Sequence, residues 1–189
     1  MGAAGRWALS QAVLGAVCLL CARRARQVPG GPAPGFLLQA LAAASDALEP
    51  LWPAGTSPRV PDPLPGAWVS AMLGQPLVAF AFHRLHGDRA TANLLLATAA
   101  ALAPLAARLP EEGRLLAARA VTLVTAASVL TLAALTGNGA AALGALLLLA
   151  AGALLPAPGA RPGGHPWVLA AGNVALGRAL RAPELGDGP

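Results

Sequence analysis

Residues 120–160 read AVTLVTAASVLTLAALTGNGAAALGALLLLAAGALLPAPGA, 41 positions without a charged side chain. At 1.5 Å per residue a helix of that length measures about 60 Å, twice the roughly 30 Å hydrocarbon core of a bilayer. The run therefore predicts two membrane crossings. Thr136-Gly137-Asn138-Gly139 is the turn between them, because Gly and Asn tolerate the backbone angles of a tight turn.

The rest of the chain fits that reading. Of 189 residues 56% are hydrophobic and 11% charged, and the mean hydropathy is +0.61. Soluble domains carry about 25% charged residues, and disordered chains are poorer still in apolar ones, so both classes are excluded. Lys, Ile and Tyr are absent, which marks a GC-rich gene that writes every basic residue as Arg. The net charge of +5 comes from 13 scattered arginines against 8 acidic residues. Nucleic-acid binding needs a clustered basic face, and the one cluster, Arg23, Arg24 and Arg26, follows an apolar segment and reads as a membrane flank.

Scanning outward for apolar runs gives seven candidate spans: 7–22, 36–52, 66–83, 90–107, 115–136, 140–155 and 166–180. The expected fold is all-α, a polytopic transmembrane helical bundle of about seven spans (range five to seven), in one transmembrane domain covering residues 1–189. The first segment has a single Arg6 before it and the basic cluster after it, the charge order of a retained anchor rather than a cleaved signal. Pro/Gly-rich loops fall at 27–34, 53–65 and 156–166, and Pro76 predicts a kink within its span. Trp68 is expected at the headgroup level. Counting arginines in short loops puts seven on one side and five on the other, which favours an N-terminus outside and a C-terminus inside.

Few residues are candidates for chemistry. Asp46 and Glu49, three residues apart on one helical face, lie inside an apolar segment, where a carboxylate is costly and suggests a proton relay or a pairing site. Pro50 ends that helix, so an interfacial position is the plainer reading. If the carboxylates are buried, Arg119 or Arg178 is the expected partner. Arg119 otherwise snorkels to the headgroups. His83, His86 and Asp88 offer three zinc ligands by spacing, but no fourth is near. The stronger reading makes Gly87 a helix stop and Asp88 the cap of the next helix. Cys18 and Cys21 read as apolar packing residues, with palmitoylation of Cys21 beside the basic flank as the competing role.

The segment Phe82-His83-Arg84-Leu85-His86-Gly87-Asp88-Arg89, continuing into Ala92 to Leu96, resembles the transmembrane protein 276 family of vertebrate multi-pass membrane proteins. So do Gly35-Phe36-Leu37-Leu38-Gln39, Gly66-Ala67-Trp68-Val69, Ala79-Phe80, the Glu112-Gly113-Arg114 turn and, more weakly, Trp167 to Leu180. The resemblance spans most of the chain and implies membrane location and architecture. It supplies no activity and adds nothing to a metal reading.

The functional expectation is an integral multi-pass membrane protein acting through the lipid bilayer or membrane-protein partners, more in keeping with a non-enzyme than an enzyme. No cofactor, metal or nucleic-acid partner is expected. The alternative is an intramembrane enzyme or small-solute transporter whose polar centre gathers Asp46, Glu49, His83 and Asp88, with Arg89 beside them. The two differ in whether those side chains converge.

Overall fold

The structure, a computed structural model, describes residues 2–26, 32–48, 65–155 and 164–180. Every regular element among them is helical: α1 (Ala3–Ala25), α2 (Ala33–Leu48), α3 (Gly66–Val69), a π-helical turn (Ser70–Gly74), α4 (Gln75–Leu85), α5 (Arg89–Ala106), α6 (Glu111–Thr136), α7 (Gly139–Ala153) and α8 (His165–Ala179). The fold is all-α, as the apolar runs require.

Helix ends fall where local chemistry closes the backbone. The expected turn inside residues 120–160 forms as α6 stops at Gly137, whose φ of 67° is left-handed. The Asn138 N–H then reaches back to the Ala133 carbonyl at 2.9 Å, and the Asn138 side chain accepts from the Ala141 N–H at 3.0 Å to start α7. The α4–α5 corner repeats the device. Gly87 has a φ of 82°, the Asp88 N–H bonds the His83 carbonyl at 3.0 Å, and Asp88 Oδ1 accepts from the Thr91 N–H at 3.1 Å.

Pro76 disturbs its helix as expected, but through a change of winding. The pyrrolidine ring crowds the carbonyl four residues back, at Met72, and that residue lies within the π turn, where the helix is wider. α3, the π turn and α4 follow one another without a break and form one rod.

Pairs of touching residues give the helix directions. Gln11 meets Asp46 and Gly15 lies beside Ala40 and Ala43, so α1 and α2 are antiparallel. Gly66 abuts Ala42 and Asp46, Gly74 abuts Gln39 and Gly35 abuts Val78, so α2 and the central rod are antiparallel too. Gly152 faces Thr122 and Gly144 faces Leu176, which reverses α7 against both α6 and α8. Cys18 meets Asn173 and Cys21 meets Gly177, making α8 parallel to α1. The chain thus runs back and forth between two ends of one bundle. One end holds Gln11, Asp46, Gly66, Arg114 and His165; the other holds Arg23, His83, Asp88, Asn138 and Arg178.

The interior is mainly apolar but admits neutral polar groups, and the exterior is rich in large apolar side chains. The interior is packed with alanine and carries Gln11, Gln39, Ser70, Gln75, His83, Thr122, Thr125, His165 and Asn173, all buried. Large apolar side chains face outward, among them Leu19, Leu41, Leu94, Leu116, Leu143 and Val174, each on a different helix. The central rod is the most covered, and its outward stripe of Val69, Leu73, Leu77 and Phe80 is half-buried between its neighbours.

Among the described residues three helices are long and apolar enough to cross a membrane: Gly5–Ala25, Arg89–Ala106 and Glu111–Thr136. That is fewer than the seven expected. α2, α7 and α8 have 16, 15 and 15 residues, short of the roughly 17 a perpendicular crossing needs, and the π turn divides the central rod into pieces of 4, 5 and 11 residues.

Candidate functional site

Asp46 stands in the last turn of α2, where the chain brings the start of α3 against it. Its Oδ1 accepts the Gly66 N–H at 2.7 Å and its Oδ2 the Ala67 N–H at 3.1 Å, with Gln11 Nε2 on α1 at 3.4 Å. The first N–H groups of a helix have no partner within it and carry its positive dipole end, so a carboxylate from a neighbouring helix satisfies both demands. A glycine at position 66 is required for this approach, because a Cβ there would strike the Ala42 carbonyl and lie 2.6 Å from Asp46 Oδ1.

Arg119, one expected partner for this carboxylate, donates instead to the Leu155 carbonyl at 3.2 Å, and Arg178 is exposed at the opposite end of the bundle. Glu49 lies outside the described residues.

A second set of polar contacts lies further along α2. Gln39, fully buried on α2, accepts through Oε1 from Asn173 Nδ2 at 2.8 Å, and the same amide nitrogen lies 3.3 Å from Cys18 Sγ. The Cys21 thiol donates to the Asn173 carbonyl at 3.6 Å and packs against Gly177. Cys21 is therefore part of the α1–α8 contact, and acylation would require that thiol to leave it. Beside Asp46, a cavity of about 10 Å³ is lined by Gln11, Gln39, Asp46, Ser70 and His165 among others.

The second polar group is at the α4–α5 corner. His83, 3% exposed, places Nδ1 at 3.1 Å from Asp88 Oδ2. Thr91, through its hydroxyl and its backbone N–H, holds the Asp88 carboxyl below its ordinary 3.8, and His83 adds to the effect against a small desolvation cost. An ionised Asp88 puts the His83 proton on Nδ1. His86 turns away, with Nδ1 at 2.9 Å from the Phe82 carbonyl. Of the three zinc-spaced residues His83 and Asp88 pair with each other while His86 is engaged elsewhere, and among the described residues no three His, Cys, Asp or Glu are placed to hold a metal. Arg89 is exposed at the first position of α5, and the Arg84 guanidinium lies 5.9 Å from the Phe80 ring centre.

The described residues of the alternative reading's polar centre fall into two groups. Asp46 caps one end of the central rod and His83 lies near its other end, 17 residues on from Gly66, or about 25 Å at 1.5 Å per residue. His83 and Asp88 meet; Asp46 belongs to a different group. That group also contains four residues the charge scan passed over, Gln11, Gln39, His165 and Asn173. Their signal was present as neutral polar side chains within apolar runs. Trp68, near the same end of the bundle as Arg114, is buried, and its indole N–H donates to the Arg114 carbonyl at 3.1 Å.

No family model matches the chain, and no solved structure does. Curated relatives match along nearly its whole length. A cattle (Bos taurus) protein named Transmembrane protein 276 is 42% identical over 194 residues, covering 96% of this chain and 95% of its own. The human (Homo sapiens) protein of that name is 40% identical over 190 residues, covering 97% and 96%. The rat (Rattus norvegicus) one is 40% identical over 184 residues, covering 94% and 93%.

Proposed function

The chain belongs to the transmembrane protein 276 family and is a membrane protein; from that premise we propose that it is a seven-pass bundle whose apolar exterior is its working surface toward lipid and neighbouring membrane helices. The observation that carries this reading is the set of large apolar side chains facing outward, leucines on α1, α2, α5, α6 and α7 and Trp167 and Val174 on α8, with the central rod the most covered. In water, a surface of that kind marks an interaction site. In a bilayer it is the lipid- and partner-facing shell.

The seven-pass count is supported by the alternating helix directions. α1, α2, the central rod, α5, α6, α7 and α8 each reverse the one before, so passing every rod across the bilayer leaves no helix end in hydrocarbon. The short helices are accommodated by local thinning and by their flanking residues. The orientation is N-terminus outside. On that choice the inner face gathers Arg23, Arg24, Arg26, Arg84, Arg89 and Arg178 at one end of the bundle.

Glycosylation acceptor tags in successive loops test the topology. Tags in 53–65 and 156–164 become glycosylated and tags in 27–34, at the α4–α5 corner and at residues 137–138 do not; glycosylation within 27–34 refutes the arrangement. The working surface is tested by proximity labelling of the full chain beside a variant with Leu116, Leu123 and Val124 changed to Ala. Loss of particular labelled membrane proteins supports partner contacts at that face; an unchanged pattern leaves lipid as its only neighbour.

A further inference from the structure

The cavity beside Asp46 is bordered by three buried polar atoms that form no hydrogen bond among the described residues: Gln39 Nε2, Ser70 Oγ and His165 Nδ1. Each belongs to a residue at most 3% exposed, and they come from α2, the π turn and α8. A buried polar group without a partner is rare, and three around one space point to a shared ligand. Space and chemistry both limit what that ligand is. About 10 Å³ is close to the 10–15 Å³ that one water needs, and a buried water characteristically makes about three hydrogen bonds.

We propose that this cavity is a binding site for a single water molecule, which joins α2, the central rod and α8 where no direct hydrogen bond links them. The donor and acceptor roles are consistent with that occupant. Gln39 Oε1 is already engaged by Asn173, so its orientation is fixed and Nε2 is a donor to the water oxygen. The two water protons then serve acceptors. Neutral His165 offers the Nδ1 lone pair, and the Ser70 hydroxyl offers its oxygen. The Asp46 carboxylate, anchored on the Gly66 and Ala67 N–H groups, shares the wall of the cavity. A π turn widens the helix next to Ser70 and is a frequent companion of functional positions. The site thus gives the serine of the π turn and the two neutral polar side chains a common role.

The test uses the full-length, isotope-labelled protein in lipid nanodiscs and reads magnetisation transfer from water to the Gln39 side-chain amide protons. The expected result is a direct water contact at Gln39, lost in Ser70→Val, which fills the space and removes one partner. Thr122→Val, which replaces another buried hydroxyl without a partner, leaves that contact unchanged. His165→Phe removes a different partner and serves in place of Ser70→Val should that variant not fold. A Gln39 amide without water contact in the native protein, or a contact that survives filling of the cavity, overturns the proposal.

Discussion

Asn173 on α8 donates its side-chain amide to Gln39 on α2 at 2.8 Å, across the centre of the bundle. Both residues are fully buried, so removing one strands the other. Hydrogen bonds between membrane helices contribute about 0.6 kcal/mol on average and up to about 1.7. Asn173→Leu is expected to cost about 1 kcal/mol, read from unfolding in detergent. Combining it with Gln39→Leu should cost less than the two single losses together, because no buried amide then lacks its mate. Additive losses would show that the two side chains are not coupled.

Glycines at close contacts separate from glycines in open space. A Cβ at Gly35 would lie 2.8 Å from the Val78 backbone nitrogen, and one at Gly66 would drive Asp46 off its N–H partners. Gly35→Ala and Gly66→Ala are each expected to destabilise by about 1–3 kcal/mol, the usual cost of overpacking. Gly139→Ala meets nothing within 4 Å and should be neutral or stabilising by up to about 1 kcal/mol. Melting temperatures of the three variants, compared with the native protein, give the order directly.

The Asp88 cap carries a pH signature. Its carboxyl is held below 3.8 by Thr91 and His83, so its ionised form favours the fold. That contribution is complete above 3.8 and is lost as pH falls through the lower folded value. Asp88→Asn keeps a capping oxygen and removes the charge. The native protein should melt slightly above Asp88→Asn near neutral pH, and the difference should close as pH falls below 3.8. A constant difference across that range would mean the charge plays no part.

Orientation should respond to the basic flank of α1. Changing Arg23, Arg24 and Arg26 to Ser leaves four loop arginines on the inner side against five on the outer. The expected outcome is a mixed population, in which tags within 27–34 become partly glycosylated. Unchanged tagging would place the orienting signal elsewhere in the chain.

The helices were legible because each is an apolar run between Gly, Pro or charged residues, and the caps were legible at Asp88 and at Thr136 to Gly139. The polar interior was not. A search for charge finds Asp46 but passes over Gln39 and Asn173, and a helix apolar on all sides gives no sign of which face meets a neighbour. Pro76 announced a disturbance without its form, since a kink and a π turn answer the same steric conflict. Distances along the chain also misled. Asp46 and His83 look like parts of one centre until the helix between Gly66 and His83 is seen to hold them apart.

The position of the central rod between its neighbours has a consequence for biogenesis. Gly66 to Leu85 carries Ser70, Gln75 and His83 toward its neighbours, and its outward stripe of Val69, Leu73, Leu77 and Phe80 is only half-exposed. Alone in hydrocarbon it would be the least welcome segment of the chain, with polar groups facing acyl tails. In the proposed seven-pass arrangement its passage into the bilayer depends on company, first α2, which precedes it in synthesis and brings Asp46 to its leading end, and then the helices packed beside it. That arrangement makes the central rod a segment that cannot be the first to settle.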